Sequence, residues 1–557
     1  MYRTRALTGL LTAALLSLTG SAVLAAPATA TTPSVEINSQ NPVTAEPPVS
    51  RPPTHSCTET LANSFPSNDA TGAAQNFTGT LTPPADCTGP WTKVVLDWTT
   101  SVQGRQYDRS GYLDLGTTQV YFGTTYEPDP AGITYHFAKD ITEYSALLHA
   151  AQPFNGGIGN YTNSTDTGVY TQTVTITYYQ ADRTHPAPTE PNTIVGLGSP
   201  NLDPSTPTAH LTATGLPHNI TRAYLEVYIK GNGCDEQWFT DVPNDVAAKY
   251  PAADMCGNGP YREVDAAIDG HPAGLTQYFP YIYTGGIVPT LWRPIPAVGT
   301  FDMSPELLDI TPFVGQLVTG TSHDIALSVP DLGDVWNLSA NLLLYTDPHT
   351  ATTSGALTSD TLNPTPTTNT TETPGTDNSV TATVTTSRDW TISGYVTTSA
   401  GRITTTVSQH AGYRNTDTVS NGGFSQTINQ TDQGWTRSTS TGGFTLPTSH
   451  LHTWSYPIKI TENAQVTDDN NFNLSGSVDM TRTLSDTTID GIGLPTITAS
   501  TDEVSANGLD QRANGQTIQA DGNGWQRFIG DDDTGHCYSH YLAADHGYIT
   551  TDHLSRC

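Results

Sequence analysis

The sequence contains 557 residues, a length that predicts roughly two to four domains rather than one core. Its 22 basic and 53 acidic residues give a formal net charge of -31, which argues against the basic patches that nucleic-acid binding requires. The composition is rich in Thr, Ser, Gly, Asn and Tyr, and this favours strands and turns over a helical cytosolic enzyme.

Residues 1–30 are predicted to form a secretory signal peptide. Arg3 and Arg5 precede the apolar stretch "LTGLLTAALLSLTGSAVLA", and small residues that suit cleavage follow. No later stretch is apolar for long enough to span a bilayer. We therefore expect a secreted protein without a membrane partner. Residues 31–55 are rich in Pro, Thr and Ala and are predicted to be a disordered lead-in.

Alternating apolar residues predict two β units in series. "KVVLDW" and "VYTQTVTITYYQ" belong to a first unit, residues 56–200, which also contains a short helix at "DITEYSALLHA". Leu225, Val227 and Ile229 alternate in a second unit, residues 201–348. Residues 349–388 are rich in Thr and Pro and are predicted to be a linker, either a flexible or glycosylated spacer or a segment lying across the catalytic unit. Alternation resumes in residues 389–557.

Six cysteines fit an oxidising compartment. They fall into three couples that are close in sequence, and we expect the disulfides Cys57–Cys87, Cys234–Cys256 and Cys537–Cys557. Because no CxxC motif or Cys/His cluster is present, a structural metal is not expected.

The sequence lacks the HExxH helix, the Walker loop, the dinucleotide fingerprint and the GxSxG elbow. What remains is a set of carboxylates near aromatic and arginine side chains on a β scaffold. Aromatic faces bind sugar rings and carboxylates perform acid–base chemistry, so the pattern is typical of carbohydrate-active proteins.

The stretch "GCDEQWF" places two acids beside a cysteine and two aromatic residues. If it is a strand, Cys234 and Glu236 share one face and Asp235 points to the other. A disulfide from Cys234 would then hold Glu236 in place. The alternative is an exposed turn with both acids solvated.

Three further stretches carry candidate residues. In "GRQYDR", Asp108 lies beside Arg109, which would keep the carboxylate ionised, or the two form an ordinary surface pair. In "TLWRPIP", Trp292 and Arg293 could stack a sugar and stabilise an oxyanion, or belong to a packed loop. In "TTYEPDP", Glu127 either binds ligand or holds a turn.

These motifs, together with "GPYREVDAAIDGHPAG" and "FPYIYTGGIVPTLWRPIPAVGTFDMSPELLDITPFVGQL", resemble the peptide:N-glycanase A family over most of residues 85–490. The family is also distantly similar to PNGase F, a flavobacterial enzyme built of two jelly rolls with the site between them. The resemblance implies an all-β fold with two jelly-roll-like sandwiches packed side by side and a C-terminal β-rich region.

The resemblance also implies site residues. Asp108 and Glu236 match the catalytic acids of the distant relative, whereas its third acidic position has no clear match and falls near Asp166. The expected substrate-binding set is Arg109, Glu127, Asp235, Trp238, Trp292 and Arg293, and Asp235 alternatively has a supporting or structural role. No cofactor or metal is implied, and we expect a monomer that acts on N-glycosylated peptides or glycoproteins.

The implied activity is hydrolysis of the β-aspartylglucosaminyl amide bond, which frees the intact N-glycan and converts Asn to Asp. One alternative is a secreted glycan-binding or adhesion protein on the same scaffold without catalysis. Another is an enzyme of the same fold with a different amide or glycoside substrate.

Overall fold

A computed structural model describes residues 37–68, 75–128, 131–468, 470–491 and 493–557. The predicted signal peptide and residues 31–36 of the lead-in lie outside the described residues. No helix within the described part of the chain has the length and apolar character needed to cross a membrane.

The first β unit is a sandwich of two four-stranded antiparallel sheets, with orders β1-β8-β3-β6 and β2-β7-β4-β5. This pairing is that of a jelly roll. Its strands are β1 Ser56–Ser67, β2 Asn76–Leu81, β3 Trp91–Val102, β4 Ser110–Leu115, β5 Thr118–Thr124, β6 Ile133–Asp140, β7 Gln152–Ile158 and β8 Tyr170–Gln180. The predicted alternation is confirmed, because Val94, Leu96 and Trp98 are buried between the sheets.

The second β unit repeats this architecture. One sheet has the order β10-β17-β12-β15 with β9 also paired to β17, and the other has the order β11-β16-β13-β14. Its strands are β9 Thr193–Gly198, β10 Asn201–Leu202, β11 Thr208–Thr214, β12 Ile220–Gly231, β13 Val264–Ile268, β14 His271–Thr276, β15 Glu306–Asp309, β16 Ser322–Ser328 and β17 Trp336–Thr346.

The third β unit is one 11-stranded antiparallel sheet, here called the C-terminal sheet. Its strands are β18 Ser354–Asp360, β19 Thr368–Pro374, β20 Val380–Thr398, β21 Gly401–Ser420, β22 Ser425–Gly442, β23 Thr448–Asp468, β24 Asn471–Asp490, β25 Thr496–Ala513, β26 Gln516–Asp531, β27 Cys537–Asp545 and β28 Tyr548–Ser555. Trp390, Ile392 and Ile460 on one face share a hydrophobic core with the second sandwich. The sheet is therefore packed on that sandwich rather than separate from it.

Helices are short. A 3-10 turn Thr142–Tyr144 runs into α1 Ser145–Leu148, which confirms the predicted helix. The others are a 3-10 helix Gly233–Thr240, α2 Asn244–Lys249, 3-10 turns Pro289–Trp292, Thr311–Phe313 and Asn421–Gly423, and α3 Val314–Leu317.

The predicted linker differs from a flexible spacer. Strands β18 and β19 lie within it, and both pair antiparallel with β20. The physical reason is that Thr, which dominates this segment, is β-branched and favours strands. Low complexity in this sequence is thus compatible with regular structure.

The lead-in is also ordered from residue 37 onward, in contrast to the prediction. Ala45 is fully buried, and its backbone N–H donates to Gln526 Oε1 at 2.7 Å. Val43 N–H donates to the carbonyl of Pro294 at 3.1 Å. We call residues 37–50 the N-terminal strap, because they cross the C-terminal sheet and the loop after Arg293.

The three expected disulfides are confirmed. Cys57–Cys87 closes the start of the first sandwich, Cys234–Cys256 ties the loop after β12, and Cys537–Cys557 ties the last hairpin. Each closes a loop of 20 to 30 residues, which on the chain-entropy model stabilises the fold by about 3 kcal/mol.

Candidate active site

Asp108 and Glu127 lie at adjoining ends of two paired strands. Strand β4 begins at Ser110 and pairs with Thr124 at the end of β5. The ladder continues one step beyond the strands, because Thr125 N–H donates to the Arg109 carbonyl at 2.7 Å. Asp108 and Glu127 are therefore neighbours on two flanking loops although 19 positions separate them in sequence.

The two loops are tied together by a buried tyrosine. The Tyr170 hydroxyl lies 2.7 Å from the Tyr107 carbonyl, 2.9 Å from the Tyr126 carbonyl and 3.0 Å from Thr125 Oγ1. Each carbonyl belongs to the residue that precedes a candidate acid. Because the tyrosine is fully buried, it fixes the spacing of Asp108 and Glu127.

A turn of the second sandwich that contains Gly285 contacts these two acids. Glu127 N–H donates to Thr284 Oγ1 at 2.6 Å, and Gly285 N–H donates to Asp108 Oδ2 at 3.0 Å. A Cβ atom at Gly285 would lie 2.3 Å from Glu127 Oε2 and 3.3 Å from Asp108 Oδ1. Only glycine allows the backbone this close to both carboxylates.

The same turn is conformationally strained. Ile287 is β-branched and has a φ of 61°, which costs about 1–3 kcal/mol. Such backbone is tolerated where surrounding packing determines it and is concentrated at functional sites. Trp292 contributes this packing, since its Nε1 donates to the Gly286 carbonyl at 2.9 Å.

Asp108 is only 1% exposed, and its Oδ1 atom has no hydrogen-bond partner among the described residues. A buried polar atom without a partner costs about 1–3 kcal/mol. Native proteins seldom retain such an atom without a functional reason. Oδ1 therefore marks the place where a reactant can bind.

Glu127 is held in its protonated form more strongly than an ordinary glutamate. Burial, with the charge of Asp108 in addition, raises the pKa of Glu127 to about 7, although Arg293 opposes the shift. A carboxyl group with this pKa can donate a proton in mildly acidic solution.

Glu236 approaches Asp108 from the second sandwich. Burial raises the pKa of Glu236, and the charge of Asp108 acts in the same direction. Lys230 lies at the end of β12, where burial lowers its pKa and its Nζ donates to Ser110 Oγ at 2.7 Å. The site thus lies between the two sandwiches and combines three carboxyl groups with a desolvated lysine.

The C-terminal sheet forms another wall. Glu127, Arg293, Asp510 and Arg512 line a small cavity of about 60 Å³, in which the last two residues come from β25. The 3-10 turn Pro289–Trp292, which precedes Arg293, is held by the sheet, because Thr290 Oγ1 donates to the Leu509 carbonyl at 3.1 Å. The position of Arg293 therefore depends on the C-terminal sheet.

The prediction that "GCDEQWF" is a strand is wrong. Residues Gly233–Thr240 form a 3-10 helix that begins at a positive φ of 58° at Gly233 and is tied by Cys234–Cys256. With three residues per turn, Cys234, Asp235 and Glu236 point in three directions. The two acids are still separated, but by helical rather than strand geometry.

The assignment of Asp235 to substrate binding is contradicted. Asp235 is fully buried and accepts hydrogen bonds from Arg262 Nη2 at 2.7 Å, Gly333 N–H at 2.8 Å and Trp336 Nε1 at 2.5 Å. Arg262 also binds Asp241 at 3.1 Å. This buried ion cluster supports the loop that carries Glu236.

Trp238 and Trp292 were predicted to stack sugars, and the structure places both in the core of the second sandwich. Their exposed fractions are 3% and 0%. Neither ring has a face available for a sugar. The alternative interpretation of a packed loop with a buried tryptophan holds for Trp292.

Arg109 does not form the expected ion pair with Asp108. Its guanidinium donates to Gln106 Oε1 at 2.5 Å and lies 5.7 Å from the ring of Tyr107. Asp166, the acid nearest to the third acidic position that the resemblance implies, instead lies 3.5 Å from Arg105. Glu127, which the sequence suggests as either a ligand contact or a turn residue, is the further acid beside Asp108.

Within the described residues, one set of side chains approaches the spacing of a metal site, namely His55, Cys57 and Cys87. The two cysteines form a disulfide, so they supply no thiolate ligands. The acids described above do not belong to that set.

Replacing Gly285 with alanine is expected to lower the rate of the reaction at this site by about 10²-fold. The new methyl group would displace both carboxylates, and misplacement by about 1 Å costs a factor of this size. The measurement is kcat on a substrate alongside a thermal unfolding curve. Gly159→Ala is a matched control, because Gly159, like Gly285, does not have a positive φ, and nothing lies within 4 Å of its added Cβ. Equal losses in both variants would contradict the prediction.

Comparison with known proteins gives two family matches. Residues 46–363 match the model described as peptide N-acetyl-beta-D-glucosaminyl asparaginase amidase A, and residues 381–458 match the PNGase_A C-terminal domain. The chain is 32% identical over 370 residues to peptide-N4-(N-acetyl-beta-glucosaminyl)asparagine amidase A of Prunus dulcis. The match covers 63% of this chain and 64% of the relative, so the chain spans less than two thirds of the length of that relative.

Among solved structures, the chain is similar to PNGase F, a glycosylasparaginase from Flavobacterium meningosepticum. The TM-score is 0.35 at 14% identity, covering 52% of this chain and 96% of that one. It is also similar to PNGF-II, with a TM-score of 0.36 at 12% identity, covering 52% of this chain and 66% of that one.

Proposed function

The chain belongs to the peptide N-acetyl-β-D-glucosaminyl asparaginase amidase A family, and from this membership we propose that it hydrolyses the β-aspartylglucosaminyl amide bond of N-glycosylated peptides or proteins. The observation that carries the proposal is the grouping of Asp108, Glu127 and Glu236 around the turn Tyr283–Gly286. All three acids lie within the matched segment.

The proposed reaction begins with Asp108. Its Oδ2 is held by Gly285 N–H, and Oδ1 is available to accept a proton from water. The water oxygen attacks the side-chain carbonyl carbon of the glycosylated asparagine. General-base help of this kind contributes about 10²–10⁴ in rate.

The tetrahedral intermediate then collapses. Glu127, protonated below its raised pKa, donates its proton to the amide nitrogen, and the C–N bond breaks. The glycan leaves as a glycosylamine and the carrier residue becomes aspartic acid. Arg293, beside Glu127, stabilises the negative charge on the carbonyl oxygen. Glu236 and Lys230 bind the sugar hydroxyls next to the bond.

The test is digestion of an N-glycopeptide in heavy-oxygen water, followed by mass spectrometry. The proposal requires the peptide to carry aspartate with one labelled oxygen, because water adds to the carbonyl carbon. A sugar residue left on asparagine would indicate a glycosidase instead. Saturable glycan binding without any change in peptide mass would indicate a glycan-binding protein.

Activity is expected to decline as pH rises through about 7. Glu127 must be protonated to donate, and its pKa of about 7 means that the donating form is lost above this value. The measurement is kcat/KM from pH 4 to 9 for the parent and for Glu127→Gln. The variant should be slower throughout and should lack the alkaline decline. If Glu236→Gln removes that decline instead, Glu236 is the proton donor.

We further propose that the protein acts outside the cell. Three disulfides support an oxidising compartment. Analysis of the culture medium and of the mature N-terminus by mass spectrometry tests this proposal.

A further inference from the structure

A large cavity lies away from the three acids. It has a volume of about 630 Å³ and runs between the second sandwich and the C-terminal sheet. One wall comes from β12, β14, β15 and β17, and the other from β20 to β24. We call it the seam groove. Asp108, Glu127 and Glu236 are not among its lining residues.

Hydroxyl groups line the wall formed by the C-terminal sheet. Thr436, Ser438 and Ser440 alternate along β22 and therefore project from one face, about 7 Å apart. Ser438 Oγ donates across the groove to Asp309 Oδ2 at 2.5 Å. A hydroxyl carries one donor and two acceptor positions, so each retains capacity for a ligand.

Aromatic side chains continue the lining along β23, where His452 pairs with Thr436 and Trp454 pairs with Gly434. The His452 ring stacks on Trp454 with centroids 6.0 Å apart, and Tyr456 packs edge-on against Phe279 at 5.0 Å. All four residues line the groove. Trp454, Tyr456 and Phe279 are largely buried, so they add an apolar part to the lining rather than open stacking faces. Hydroxyl groups beside an apolar lining match the hydroxyl and C–H groups of a sugar.

The basic side chains that line the groove already interact with aromatic or acidic side chains of the protein. Arg222 lies 4.0 Å above the ring of Tyr345, and Arg482 pairs with Glu46 at 3.4 Å. His450 and His452 lie 3.1 Å and 2.9 Å from Asp486. A phosphate or sialic acid would therefore find no dedicated counter-charge.

Three buried glutamates in the groove favour a neutral ligand as well. Burial raises the pKa of Glu306, whose Oε2 accepts a hydrogen bond from Thr276 Oγ1 at 2.7 Å. Burial also raises the pKa of Glu143 to about 8, and that of Glu190 is raised for the same reason. A carboxyl group with a raised pKa carries less negative charge at a given pH, so these three glutamates attract a cation less than ordinary glutamates do.

We propose that the seam groove binds a neutral oligosaccharide, as a second carbohydrate site separate from the three acids. The groove requires both the second sandwich and the C-terminal sheet, so the sheet has a binding role in addition to its support of Arg293. The proposal does not rest on the amidase activity, because it concerns only recognition of sugar rings.

The probes are neutral oligosaccharides of N-acetylglucosamine and of mannose with free reducing ends, which contain no asparagine amide bond. Hydrogen–deuterium exchange of the full chain is measured with and without each probe. With at least one of them, protection is expected in residues 304–309 and 436–456. Protection confined to residues 105–127 and 283–293, or no protection with either probe, would overturn the proposal.

A matched pair of variants on β22 provides an independent measurement by calorimetry. Thr436 lines the groove, pairing with Gln409 on one side and His452 on the other. Arg437 is the next residue, points to the opposite face and is exposed. Thr436→Trp should weaken oligosaccharide binding at least about tenfold, whereas Arg437→Trp should leave it unchanged.

Thermal unfolding of both variants tests whether they are folded. If Thr436→Trp does not fold, Ser440→Trp is used in its place to fill the groove. Equal affinity of Thr436→Trp and Arg437→Trp for the oligosaccharides would overturn the proposal. The amide-cleavage test described above is unaffected by this result, so failure of either proposal can be recognised separately.

Discussion

Asp108→Asn is expected to reduce hydrolysis of an N-glycopeptide by about 10³-fold or more. The asparagine side chain has the same shape, and its oxygen can still accept the Gly285 N–H bond that Asp108 Oδ2 accepts at 3.0 Å. It cannot take a proton from water, so the general-base contribution of about 10²–10⁴ is lost. The loss should appear in kcat, because the sugar-binding residues are unchanged.

Asp166→Asn is the control for this substitution. Asp166 is also an acid on a loop of the first sandwich, but it interacts with Arg105 and Asn163 and lies outside the acid cluster. Its activity should stay within about twofold of the parent, which is a change in activation free energy of less than about 0.5 kcal/mol, because Asp166 does not contact the acid cluster. Near-parental glycan release by Asp108→Asn, with Asp166→Asn unaltered, would show that Asp108 is not the base.

Arg262→Met is expected to lower the free energy of unfolding by about 3–5 kcal/mol. The substitution leaves Asp235 and Asp241 buried without the cation that binds them at 2.7 Å and 3.1 Å. Breaking a buried ion pair by removing one partner has a cost of this size, because a charge is left uncompensated. Denaturant unfolding followed by tryptophan fluorescence measures the change.

Two further variants identify the cause. Arg437→Met removes an exposed arginine and should change stability by less than about 0.5 kcal/mol. Adding Asp235→Asn and Asp241→Asn to Arg262→Met removes the uncompensated buried charges and should restore part of the lost free energy of unfolding. A loss of stability that is the same with and without these two changes would point to packing rather than charge.

The all-β architecture could be predicted from sequence because alternation of apolar residues is a local signal. It is visible in β3, β8 and β12 without knowledge of the fold. The acid at Glu127 could not be given its place beside Asp108, since that placement depends on the ladder between β4 and β5 and on the approach of Gly285.

The stretch around Glu236 shows a different limit. The conclusion that Asp235 and Glu236 point apart was reached from strand geometry, but the chain turns into a 3-10 helix after Gly233. A disulfide and a positive φ determine this helix, and neither has a periodic signature. The burial of Trp238 and Trp292 could not be predicted for a related reason, because residue type alone does not distinguish a buried indole from one that faces a ligand.

The N-terminal strap has a consequence for how the protein reaches its native state. Gln40 N–H donates to the Gly547 carbonyl at 3.0 Å, and Ile549 N–H donates to Gln40 Oε1 at 3.0 Å. These bonds join the first described residues to the last hairpin, across about 500 positions of the chain. Such long-range contacts form late because loop closure must precede them. Synthesis must therefore have passed Ile549 before Gln40 can make both bonds, and a nascent chain that stops before Gly547 lacks the carbonyl and the backbone N–H that hold Gln40.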